Sequence, residues 1–283
     1  ASGPLLMQWF QSRELPLVTG IFITMTSLGI ATSSFGVSPL SGAIGWDAAL
    51  SVFGGLSLLA AVAWLVLGRA QIRASESEPS SVMRRLREVL RARTTLLVVA
   101  ADAGPFALLT VSLAWLPTYY NEVHEMSLAK AGALMGIVSL SGVIALIVAS
   151  LATTRVKRRR PFLLTPGIIV GFAGFGAFLL ADSAAVYLAV VALGFDTWFY
   201  VPVWMTIPME LYPADSNRVS VIFASILTLG GIVNFIAPLV VGAAADLTGS
   251  FVPGLALFAV LAWGLGVVGF LLPETGPGRR AAG

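Results

Sequence analysis

The sequence predicts an all-α polytopic membrane protein. Three observations carry that expectation. Eight apolar stretches recur along the 283 residues, each near the roughly 20 residues that a helix needs to cross a bilayer core of about 30 Å. Charged residues make up only 11% of the chain, against about 25% in a soluble domain. All of the 17 Lys and Arg residues except Lys130 lie in alternate loops between the stretches. Basic loops stay on the cytoplasmic side, so this asymmetry predicts both termini inside, in the cell's inner (plasma) membrane.

The elements follow in order. The short apolar run from Gly3 to Phe10 precedes the first full stretch, and because the chain starts at Ala1 rather than Met, upstream sequence is expected. The spans are predicted near 16–40, 48–68, 95–118, 128–152, 162–181, 184–209, 219–241 and 252–272. Each is expected to be helical, because lipid offers no partners to backbone groups. A β-barrel would need alternating strands of about ten residues, and the sequence shows none.

Arg13 precedes the first span. The loop 69–94 carries Arg69, Arg73, Arg84, Arg85, Arg87, Arg91 and Arg93. Its stretch from Ala74 to Ser81 has a linker composition, and Val82 to Arg93 can form an amphipathic surface helix with Val82, Leu86, Val89 and Leu90 on one face. The loop 153–161 carries Arg155, Lys157, Arg158, Arg159 and Arg160, the loop 210–218 carries Arg218, and the tail carries Arg279 and Arg280. The opposite loops hold Asp47, Glu122, Glu125, Asp182 and Asp246. The linker divides the chain into 1–68, with two spans, and 95–283, with six.

Composition also excludes functions. There is no cysteine and only one histidine, His124, which reads as a solvated loop residue. Thiolate metal sites and thiol nucleophiles are therefore out, and no Gly-rich phosphate loop with Lys-Ser or Lys-Thr is present. No cofactor or metal is expected. The net charge of +3 does not point to nucleic acid, because the basic residues sit in short loops where anionic lipid neutralises them.

Polar residues are uneven among the spans. The second has only Ser51 and Ser57, the fifth only Thr165, and the eighth none, whereas the first carries Thr19, Thr24, Thr26, Ser27, Thr32, Ser33 and Ser34. Two acids lie inside spans. Asp196 is near the middle of 184–209, and Asp102 lies about 10 Å in from the start of 95–118 at 1.5 Å per residue. Ionisable residues within a membrane span face wet cavities or partners and mark ion or substrate pathways. Apart from Lys130, at the outer edge of 128–152, no Lys or Arg lies within a span, so the alternatives are a neutral acid hydrogen-bonded to a neighbouring helix and an Arg partner in absent sequence.

Asp196, Tyr200 and Trp204 are spaced by four and share a helix face. An acid beside two aromatics suits an amphipathic solute or a cation held by ring faces; the alternative is a packing stripe. Asn234, near Gly230 and Gly231, can bind substrate or bridge helices. Pro202 and Pro208 remove backbone hydrogen bonds and can bend the sixth span. Gly132-x-x-x-Gly136 and Gly167-x-x-x-Gly171 read as helix-packing motifs. Trp115, Tyr119 and Tyr120 read as an interfacial aromatic belt.

Spans one and two resemble spans seven and eight, with Pro39 and Gly42 matched by Pro238 and Gly242, a weak internal repeat of the kind transporters show. Further short matches carry a family resemblance. Arg155-Val156-Lys157-Arg158-Arg159 resembles the basic loop between the second and third helices of a major facilitator superfamily half, with Thr154 and Lys157 where the family has an acid and a Gly. Glu210, Pro213 and Arg218 resemble the acid-Pro-Arg loop after the tenth helix, and Leu272-Pro273-Glu274-Thr275-Gly276 resembles the ending of the twelfth. Ser38-Pro39-Leu40-Ser41-Gly42-Ala43 is similar to a signature of the family's proton antiporters. The Leu-Pro-x-Thr-Gly run is not a sortase signal, because its apolar span precedes it.

The resemblance implies a helical bundle of major facilitator type, spans five to twelve of twelve, with four N-terminal spans absent. The three bland spans would then occupy the outer places. It further implies alternating access, with Arg155, Arg158, Arg159, Glu210 and Arg218 in gating or loop motifs. Asp102, Asp196, Tyr200, Trp204 and Asn234 are the substrate or proton pathway candidates. The expected function is proton-coupled transport of a small organic solute by a monomer, with drug or metabolite antiport as the alternative. The other classes are a non-transporting remnant and an intramembrane paired-aspartate enzyme, for which nucleophile, base and metal ligands are all scarce.

Overall fold

The computed structural model describes residues 6, 9–11, 14, 15, 17–25, 40, 43–68, 91–156 and 158–275. Most of the predicted linker 69–94 with its surface helix, most of the Ser38–Ala43 signature, Arg13, Lys157 and the tail from Gly276 lie outside the described residues, as does 26–39 of the first predicted span. Among the described residues the regular structure is helix without strand. Residues 17–25 are helical, and nine helices follow among the described residues. They are α1 (Trp46–Leu67), α2 (Arg93–Val123), α3 (Leu128–Arg155), α4 (Arg160–Leu179), α5 (Ala185–Phe199), α6 (Val201–Leu211), α7 (Ser216–Thr248), α8 (Val252–Ala262) and α9 (Gly264–Leu271). Among the described residues seven continuous segments are long and apolar enough to cross a membrane, α5–α6 and α8–α9 each counting as one.

The chain forms two compact units, residues 22–76 and residues 1–21 with 77–283. In the smaller unit α1 is apolar all round and buries only Ala49. A helix of that composition is stable where its surroundings are lipid.

In the larger unit α2 packs on α7, α8 and α9, while α5 lies between α3 and α4. The core between them holds Leu108, Val111, Leu116, Leu134, Val138, Val170, Leu193 and Phe258. The outward surface is equally apolar: Leu188, Phe235, Leu247 and Phe270 all stand exposed. Water would not tolerate so large an apolar surface, and a bilayer does.

Local chemistry explains the irregularities. The span 185–211 breaks at Tyr200, two residues before Pro202, whose ring carries no N–H for the helix ladder. The loop 212–215 ends at Asp215, whose side chain caps α7 by accepting from the Arg218 amide at 2.9 Å. Helices α4 and α9 touch backbone to backbone at Gly167 and Gly266, and a Cβ on Gly167 would overlap the Gly266 nitrogen. Gly171 likewise faces the Trp263 ring. The other small-residue pair behaves differently. Gly132 and Gly136 face open space among the described residues, so they do not serve helix packing there.

Two further expectations are corrected. Tyr119 and Tyr120 are not an interfacial belt but buried pins between α2 and α4, donating hydrogen bonds to the carbonyls of Phe178 and Ala177. Trp115 donates from Nε1 to the Pro238 carbonyl at 2.9 Å, tying α2 to α7. His124 is not a solvated loop residue. Its side chain is 15% exposed, its ring meets Tyr119 edge-on, and Nδ1 lies 2.7 Å from Asp182 Oδ1. Sequence spacing gives no sign of a partner 58 residues away.

Candidate functional site

Helix α2 and the broken span α5–α6 run antiparallel, and one face of each meets the other in three rungs. Val98, Asp102 and Phe106 are spaced by four along α2, so they point the same way. Opposite Val98 stands Trp204, whose Nε1 donates to the Val98 carbonyl at 2.8 Å. Opposite Asp102 stands Tyr200, whose hydroxyl donates to Asp102 Oδ1 at 2.9 Å. Opposite Phe106 stands Trp198, in an edge-to-face contact with centroids 5.1 Å apart. Tyr200 and Trp204 are fully buried.

Tyr200 and Trp204 are neighbours, as their spacing implies, and the acid hydrogen-bonded to Tyr200 is Asp102 of another helix. Asp196 is 7% exposed and makes no hydrogen bond or ion pair among the described residues. Asp102 is only half-buried, and its second oxygen faces α7, 3.7 Å from where a Cβ on Gly230 would stand. One turn further along α7 lies Asn234. Its Oδ1 is buried with no hydrogen-bond partner among the described residues. An unsatisfied buried acceptor is costly, which is why such groups concentrate where a ligand or water completes the set. Asp102, Tyr200 and Gly230 thus meet where α2, α6 and α7 approach one another, with Asn234 one turn further along α7.

A second polar cluster closes the arginine-rich end of the bundle. Arg159, just before α4, directs NH2 and Nε to Glu210 Oε1 at 2.8 and 3.1 Å. Both side chains are buried, 3% and 5% exposed. The other oxygen of Glu210 accepts from the Thr275 hydroxyl at 2.8 Å. Glu274 then accepts from the backbone N–H groups of Arg159 and Arg160, at 2.7 and 3.3 Å. A carboxylate at that position completes the free amides of the α4 N-terminus and complements its dipole. Arg160 donates from Nε and NH2 to the Leu272 carbonyl. The three loop motifs singled out in the sequence, around Arg159, Glu210 and Glu274, converge here.

The remaining motif residues stand apart. Arg155 is exposed in the last turn of α3, where a cation suits the helix C-terminus. Arg158 is exposed and makes no hydrogen bond or ion pair among the described residues. Arg218 stacks its guanidinium 4.0 Å over the Tyr212 ring. Glu274, Thr275 and Arg160 were not among the predicted site residues. Pro273 and Glu274 did carry a signal, as an acid directly after the helix-ending Pro.

The family model of the Major Facilitator Superfamily matches residues 1–238. The chain belongs to that superfamily. A structure of an Escherichia coli fucose:proton symporter, FucP, superposes with a TM-score of 0.74 at 16% identity, covering 96% of this chain and 72% of that one. FucP in an outward conformation gives 0.71 at 16% identity, covering 96% and 71%. At that identity the likeness shows the shared fold. An uncharacterized protein of Campylobacter jejuni is 26% identical over 125 residues, 44% of this chain. The chain covers 38% of that relative's length. The chain is a multi-pass membrane protein of major facilitator fold, and it spans well under half the length of that relative.

Proposed function

We propose that the protein is a secondary active transporter that moves a small organic solute by alternating access and couples it to protons at Asp102. The observation that carries this reading is the Tyr200–Asp102 hydrogen bond at 2.9 Å, a neutral donor holding a carboxyl inside a span with its other oxygen turned to Gly230. A carboxyl held by an O–H group rather than by a cation can accept and release a proton without breaking an ion pair. Asn234 would contribute a solute contact, and Tyr200 and Trp204 would hold the acid's helix in register. FucP, of the same fold, is a fucose:proton symporter, which supports uptake with protons.

The Arg159–Glu210–Thr275 cluster is read as the lock that keeps the arginine-rich ends of α4, α6 and α9 together while two helical halves rock. The halves would be an N-terminal one ending in residues 1–68 and a C-terminal one in 95–283, joined by the basic linker 69–94, with both termini and the linker cytoplasmic. The transporter would act as a monomer, with protons, solute and lipid as its partners and with neither a cofactor nor nucleic acid.

The test is flux in liposomes with the full-length gene product. A pH gradient is imposed, and accumulation of sugars, organic acids and amines is followed for wild type, Asp102→Asn and Asp196→Asn. Asp102→Asn should abolish accumulation while leaving solute exchange without a gradient. Gradient-driven accumulation at the wild-type rate in Asp102→Asn excludes coupling at this residue.

A further inference from the structure

The bilayer-facing surface of α4 and α9 carries a groove of about 410 Å³, lined by Leu164, Gly167, Ile168, Trp263, Val267 and Phe270. It exists because Gly167 and Gly266 let the two helix backbones touch, so the flanking side chains stand up as walls. The walls offer apolar surface, and the indole N–H of Trp263 is already spent on the Ile168 carbonyl at 3.0 Å. From Leu271 to Trp263 the groove runs about 12 Å at 1.5 Å per residue. That direction lies along the spans, as an acyl chain does.

One end of the groove is basic. Leu164 stands one turn beyond Arg160 on α4, and Leu271 adjoins Leu272, whose carbonyl holds the Arg160 guanidinium at 3.0 Å. Two nitrogens of Arg160 are used in that contact, and NH1 is left over. Arg158, two residues earlier, is exposed and makes no hydrogen bond or ion pair among the described residues. Glu274 accepts from the backbone amides of Arg159 and Arg160. An apolar slot thus ends next to the Arg160 guanidinium, with Arg158 two residues earlier in the chain.

We infer that this groove is a binding site for an anionic phospholipid, its acyl chain in the slot between α4 and α9 and its phosphate on Arg158 and Arg160. The site is separate from the Asp102–Tyr200 contact and does not depend on the coupling assigned there. Arginine matches the occupant's phosphate, since its planar fork binds phosphate oxygens in pairs. A bound lipid would brace α9 against α4 on the side away from the Arg159–Glu210 pair.

The experiment uses the full chain, purified in detergent and depleted of lipid. Native mass spectrometry and thermal unfolding are followed on adding dioleoyl-phosphatidylglycerol, dioleoyl-phosphatidylcholine, dihexanoyl-phosphatidylglycerol or inorganic phosphate. One retained dioleoyl-phosphatidylglycerol and a rise in Tm are expected, with the other three giving less. Arg158→Ser should weaken retention roughly fivefold, the usual effect of one basic residue near an anionic surface. Val267→Trp, which fills the slot from the lipid side and leaves the arginines in place, should abolish the preference for the long chain. Equal retention of phosphatidylcholine overturns the proposal, as does an equal effect of phosphate or of the short-chain lipid. Unchanged retention in Val267→Trp reduces the effect to general attraction to a basic surface and also overturns it.

Discussion

Removing the arginine of the buried pair is the sharpest probe of the bundle's arginine-rich end. In Arg159→Ala, Glu210 would stay 5% exposed without the cation that compensates its charge. Breaking a buried pair from one side costs about 3–5 kcal/mol, because the remaining charge is left desolvated. Here the Thr275 hydroxyl still serves one oxygen of Glu210, so the lower end, about 3 kcal/mol, is expected. The reverse change, Glu210→Leu, strands a guanidinium that already has one buried nitrogen, NH1, without a partner among the described residues, and should cost at least as much. Replacing both at once, Arg159→Met with Glu210→Leu, removes both charges and should cost about 1 kcal/mol or less. The assay is a double-mutant cycle on unfolding free energy in mild detergent, with Arg159→Met as the single change so that the cycle closes. Single costs of about 3 kcal/mol each and a double cost of about 1 kcal/mol imply a coupling of about 5 kcal/mol, within the span known for close, desolvated charge pairs. Additive single effects, with coupling below about 0.5 kcal/mol, would show that water reaches the pair and would refute the reasoning.

Three other outcomes can be checked directly. Gly167→Val should lower stability by about 1–3 kcal/mol by forcing α4 from the Gly266 backbone, seen as a lower Tm, whereas the same change at Gly132, which faces open space among the described residues, should cost much less. Tyr200→Phe should slow gradient-driven accumulation and cost about 1.5–3 kcal/mol if Asp102 is charged and about 1 kcal/mol if it is neutral, so its unfolding free energy also reports the acid's protonation. Trp204→Phe should lose the bond to the Val98 carbonyl and some packing, lowering stability by about 1–3 kcal/mol with gradient-driven accumulation retained; full loss of accumulation at normal stability would place Trp204 in direct contact with solute.

Much of the architecture was legible in the chain. The apolar lengths of spans two to eight correspond to the seven membrane-length segments, because a bilayer tests each segment on its own composition. Pro202 marked the break at Tyr200, since a missing N–H acts locally. The loop motifs named Arg159 and Glu210, yet their meeting requires residues 51 apart to fold together. Some local patterns misled for the same reason. Gly132-x-x-x-Gly136 and Gly167-x-x-x-Gly171 have one spacing, and among the described residues only the second finds a helix to press against.

Composition and charge order were sufficient for a many-helix membrane protein with its arginines gathered in alternate loops, because hydrocarbon and head groups act on each residue independently of its distant neighbours. The pairing of Tyr200 with Asp102, 98 residues away, rather than with Asp196 on its own span, came from three dimensions alone. It depends on the register of two antiparallel helices, a relation that periodicity within either one does not contain.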